Sequence, residues 1–82
     1  MTVTRNTAHE AVGKGDVRVL EIEGGWNVRQ KLNQIGIHVG DTIQVRRCGI
    51  AGGPVIIRTH GTEIAMGRRM ADKIIIQLME TS

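Results

Sequence analysis

The amino-acid sequence predicts a mainly β protein: a small barrel of about five short strands, with one short helix after the first strand and one 3₁₀ turn before the last. Three observations carry that expectation. The chain has 82 residues, which suits a single domain with one compact core. Its apolar side chains are aliphatic, with Trp26 the only aromatic residue and no Phe or Tyr, and the β-branched majority packs well on a pleated surface. Glycine, at 11 positions, cuts the chain into segments too short for long helices.

Residues 1–12 are polar and weakly patterned and read as a flexible lead-in. Gly13 to Asp16 is turn chemistry, and Val17 to Glu23 reads as the first strand. Its alternation is imperfect: Val17, Val19 and Glu21 fall on one face, Arg18, Leu20 and Ile22 on the other. Gly24 and Gly25 end it, and the period changes. Val28, Leu32 and Ile35 recur at i, i+4 and i+7, the stripe of a short helix. Asn27 is placed to cap its start, with Gln30 reaching back as in a capping box. Gly36 stands where a left-handed C-terminal cap needs no Cβ.

After a turn at Gly40 and Asp41, Thr42 to Arg47 alternates with Ile43 and Val45 inward. Cys48 to Gly53 reads as a long hairpin loop. Pro54 opens the returning strand, Val55 to His60, at a place that needs no ladder donor. Gly61 and Thr62 reverse the chain into Glu63 to Met66. Gly67 to Asp72 suits one 3₁₀ turn with Met70 inward, and Ile74 to Leu78 is the last strand. So sticky a strand favours closure of the sheet into a barrel, which removes exposed edges.

The residues exclude more functions than they suggest. A lone cysteine, Cys48, forms no internal disulfide. No apolar run approaches the ~20 residues that span a bilayer, and the N-terminus lacks the apolar stretch of a signal peptide, so a cytoplasmic protein without membrane insertion is expected. Nothing sets a nucleophile beside an oriented base, and the scattered carboxylates form no pair, so no catalytic residue is assigned and no enzyme is expected. No cofactor is implied. His38, His60 and Cys48 are competent metal ligands, but their spacing is not that of a metal motif. The formal charge of +3 allows an anionic partner. Arg46, Arg47, Arg58, Arg68, Arg69 and Lys73 would form the basic face of a nucleic-acid-binding barrel, yet single-strand binders stack bases on aromatic platforms and this chain has one indole. Binding of nucleic acid is therefore the alternative, not the expectation.

The segment from Leu32 to Val45, with Gly36, Gly40 and the alternating strand that follows, resembles the FeoA family, the small cytoplasmic components of bacterial ferrous iron uptake. Gly52-Gly53-Pro54-Val55, the strand to Gly61, and Ile64-Ala65-Met66-Gly67 ahead of Ala71 and Ile74 resemble it in order and spacing. The resemblance covers residues 13–79, leaving 80–82 as a tail. Val39 stands where the family often has Pro, and Trp26 where small residues are common. The resemblance implies an SH3-like barrel and a non-enzymatic role docked on the cytoplasmic part of FeoB, the membrane iron transporter, which it modulates. It carries over no catalytic residue and no metal ligand. The same barrel resembles the C-terminal module of iron-dependent repressors; those carry DNA-binding segments upstream, and a chain starting near its barrel favours the transport reading. Arg46, Arg47 and Ile50, in and beside the long loop, are the expected partner contacts, an apolar tip flanked by glycines being a suitable anchor. Trp26 is either a further partner contact or a lid on the core.

Overall fold

In the computed structural model, which describes residues 6–47 and 53–79, the chain forms one antiparallel sheet of six strands. The elements in chain order are β1 (Asn6–Thr7), a 3₁₀ turn (Ala8–Ala11), β2 (Asp16–Ile22), α1 (Gly25–Gln34), β3 (Thr42–Arg47), β4 (Val55–Thr59), β5 (Thr62–Met66), α2 (Arg68–Ala71) and β6 (Ile74–Leu78). The strand order is β1-β6-β2-β3-β4-β5. No ladder joins β5 to β1 among the described residues, so the expected closure by hydrogen bonds is not made. The two-residue β1 reaches only Ile75 and Ile76. The architecture is mainly β and SH3-like, with one principal helix and one 3₁₀ turn.

The core is almost wholly aliphatic: Val17, Val19, Ile22, Leu32, Ile37, Ile43, Val45, Val55, Ile57, Ile74 and Ile76 are buried in one cluster. Each such side chain contributes about 1.5–3 kcal/mol by leaving water. Ile43 and Val45 point inward as their alternation predicts. β2 departs from its simple alternation, and the reason is a bulge. Val19 pairs with Ile76 but Glu21 pairs with Ile75, leaving Leu20 as an extra residue. The phase shifts there, so Ile22 joins Val17 and Val19 inside while Leu20 and Glu21 face out.

The helix begins earlier than its sequence suggests. Gly24, at φ 106°, is the N-cap residue, and Asn27 lies inside the first turn instead of capping it. A residue with a Cβ could not make that reversal cheaply, and Gly24 lets the chain leave β2 straight into α1. At the other end the predicted glycine cap is present. Gly36 N–H donates to Asn33 O at 3.1 Å and Ile37 N–H to Leu32 O at 2.9 Å, with Gly36 at φ 103°. This pair of bonds is the Schellman arrangement. It explains why Ile35, expected on the apolar stripe, is exposed: the helix has ended, and Ile37 turns in beside Leu32 in its place.

The lead-in expected over residues 1–12 is docked from Asn6 onward. β1 pairs with β6, and Ala8 and Ala11 are fully buried in the core cluster. The Thr7 amide donates to Glu10 Oε1 at 2.9 Å, which fixes the 3₁₀ turn. Polar sequence hid this docking, because small alanines bury without an apolar pattern. The turn before the last strand is instead one α-helical turn, closed by Ala71 N–H to Gly67 O at 3.1 Å and Asp72 N–H to Arg68 O at 2.9 Å. Met70 packs against the core as expected. The β4–β5 hairpin turns on His60 and Gly61, at φ 51° and 77°, one residue before the expected reversal.

Gly24 and Gly36 invite a comparison. A Cβ on Gly24 would stand 2.8 Å from Val28 Cγ2, whereas one on Gly36 meets nothing within 4 Å. Gly36→Ala is expected to cost about 1–2 kcal/mol from backbone conformation alone, and Gly24→Ala more, by the added collision. Urea unfolding of both variants checks this; an equal loss would remove the steric component.

Candidate functional site

The bulge that expels Leu20 also shapes the surface. A cleft of about 370 Å³ lies between α1 and the second half of β2. β2 lines it with Leu20, Glu21 and Ile22, α1 with Arg29 and Asn33, and the following loop with His38 and Val39. Leu20 is 47% exposed and Val39 54%, so two apolar side chains rim the cleft in contact with water. Its walls are firmly held. Val19 N–H donates to Asp41 O at 2.8 Å, and Val19 O accepts from Gly40 N–H at 2.8 Å, which ties the loop to β2.

One carboxylate organises that loop. Asp41 Oδ2 accepts the His38 backbone N–H at 2.8 Å and lies 3.5 Å from His38 Nδ1. Its other oxygen, Oδ1, lies 3.4 Å from His60 Nε2 in the β4–β5 turn. Asp41 thus links the loop after α1 to a hairpin of the far half of the sheet, with ion pairs available when the imidazoles are protonated. Two of the three sequence-level ligand candidates, His38 and His60, therefore share a carboxylate, but on opposite oxygens. Among the described residues no group of three or more His, Cys, Asp or Glu side chains is disposed to hold a metal ion. Cys48 lies outside the described residues.

The predicted partner contacts fall at separate places. Arg46 is exposed on β3, in register with Ile56, and Arg47 ends that strand opposite Val55. Ile50 lies outside the described residues. Trp26 is 68% exposed in the first turn of α1, so it is not a lid on the core. β2 starts beside Gln44 and runs away from the β3–β4 hairpin, which puts Trp26 at the other end of the sheet from Arg46. Sequence reasoning missed the cleft residues Leu20, Arg29, Asn33 and Val39. The signal was present for α1: Trp26, Arg29 and Asn33 recur at i, i+3 and i+7 on one helical face.

The fold and this surface can be set beside known proteins. A model of the FeoA domain matches residues 9–78. The chain belongs to the FeoA domain family. Members of the FeoA family are small, non-enzymatic accessory proteins, and this chain is one of them. It is 40% identical over 62 residues to a protein named as an Fe(2+) transport protein A from Methanocaldococcus jannaschii, covering 76% of this chain and 73% of that one. A crystal structure of an iron uptake regulatory protein, FeoA, superposes with a TM-score of 0.78 at 32% identity, covering 92% of this chain and 97% of that one. The structure of ScaR with bound Zn2+ superposes at a TM-score of 0.80 over 96% of this chain and 40% of ScaR, but at 21% identity, which speaks for the fold alone. No described helix of this FeoA-domain protein is long and apolar enough to cross a membrane.

Asp41→Ala removes the acceptor of the His38 amide and both imidazole contacts, and is expected to cost about 1–2 kcal/mol. His60→Asn keeps a residue that tolerates the left-handed turn and is expected to cost less. Thermal or urea unfolding ranks them; a larger loss for His60→Asn would place the weight on the hairpin instead of the loop.

Proposed function

We propose that this FeoA-domain protein is a non-enzymatic cytoplasmic accessory of ferrous iron transport, which docks on the cytoplasmic part of a FeoB-type transporter and modulates it. The observation that carries this reading is the match to the FeoA domain over residues 9–78, together with the 40% identity to an Fe(2+) transport protein A. The physical character of the chain supports it. Among the described residues the core is aliphatic with one buried polar side chain, Thr59, which leaves the surface to act through. Docking through Arg46, Arg47 and Ile50 beside the Gly-rich loop is the proposed contact, with Trp26 as a further one.

A nucleic-acid-binding role gains no support from the surface. Trp26 stands by itself on a helix, so no stacking platform accompanies the arginines. Likeness to the repressor ScaR is a likeness of fold and brings no DNA-binding role.

Retention of the detergent-solubilised transporter on the immobilised protein tests the reading. The transporter is expected to be retained by the native chain and retained about ten-fold less by Ile50→Asp, an effect near 1.4 kcal/mol. Absence of retention by the native chain would sink the docking reading. Equal retention by Ile50→Asp would remove the loop from it.

A further inference from the structure

We infer that the cleft between α1 and β2 is a second docking site, with Trp26 on the same helical face as its Arg29 and Asn33, and that it receives an acidic, apolar segment of the protein partner. The inference rests on the docking reading above and adds to it a place and a ligand chemistry.

The apolar part of the argument starts from the bulge. Leu20 is an extra residue in β2 and faces solvent at the rim of the cleft instead of joining the core. Val39, exposed in the loop, stands on the same rim. Trp26 lies on the helical face that carries Arg29 and Asn33, both of which line the cleft, one and two turns further on. Two exposed apolar side chains from two elements therefore border one concavity, and Trp26 is exposed one helical turn before Arg29 of its lining. A large aromatic with a polar edge is the commonest energetic anchor of protein interfaces.

The charge of the occupant follows from α1. On the cleft face the helix presents Arg29, and α1 as a whole contains no Asp or Glu. Glu21, the carboxylate of the lining, is already engaged within the fold. The complement of this face is a segment with carboxylates beside an apolar side chain. A second copy of the chain fits poorly, because a two-fold contact would set one cationic helix against another. A flat anionic membrane fits poorly too, because a concave site of about 370 Å³ suits an inserted side chain. The cleft is preformed on both sides, held by the Val19 bonds and the Gly36 cap, so little ordering is lost on binding.

Trp26 is also the reporter, since it is the chain's only aromatic residue. The experiment titrates overlapping 15-residue peptides from the cytoplasmic segments of the transporter into the full chain and follows indole emission. Anionic phosphatidylglycerol vesicles serve as a parallel arm. Saturable blue shifts with acidic apolar peptides are expected, weakened at least ten-fold by Arg29→Glu and by Val39→Ser. Circular dichroism establishes that the variants fold, and the two lie on separate elements. Transporter retention without any peptide response, or without loss in Arg29→Glu and Val39→Ser, would overturn the cleft assignment while leaving the docking reading intact. A response to vesicles alone would overturn it in favour of lipid. Failure of the native chain to retain the transporter would remove the docking reading itself, and this inference with it.

Discussion

The extra residue in β2 sets the arrangement of everything around it. β2 is paired on both sides, with β6 and with β3, so a shift of phase within it is felt across the sheet. With Leu20 pushed out, Ile22 turns inward to meet Ile74, and the aliphatic core gains a residue at the end where α1 departs. Without the bulge, strict alternation would put Ile22 in water and Glu21 inside. The single irregularity therefore reconciles an imperfect sequence pattern with an almost wholly apolar interior. It also creates the rim of the cleft.

Helix and loop are held by the same economy of means. α1 lacks a side-chain N-cap, and it starts at a glycine that only has to reverse the chain. Its C-terminal end has both carbonyl bonds of a glycine cap, after which Ile37 returns to the core. Asp41 then fixes the loop through the His38 amide and reaches His60 across the sheet. Position 60 adopts a left-handed backbone that few residues other than glycine take readily, and histidine is among the more tolerant.

Much of the fold was legible in the chain. The alternation at Ile43 and Val45, the glycine cap at Gly36, and the inward Met70 all follow from local pattern, and local pattern is what sequence reports. The misses were tertiary. Ala8 and Ala11 are buried because β6 offers a strand to dock on, which no local pattern at residues 6–12 announces. The bulge at Leu20 depends on pairing with a strand more than fifty residues away. The candidate surface was less legible than the fold for the same reason. Arg46 could be expected on an exposed strand face, but the cleft needed β2, α1 and the loop brought together. Trp26 is the instructive case. A lone aromatic residue looks like core by composition, and only the early start of the helix carries it outside.

An interior built almost entirely from aliphatic side chains has a further consequence for divergence. Exchanging valine, isoleucine and leucine at constant volume neither strands a donor nor orphans an acceptor, so such replacements are tolerated well. Thr59 is the buried polar exception. A scaffold of this kind drifts freely in sequence while keeping its shape. What selection can grip in such a molecule is its glycine geometry and its outer skin.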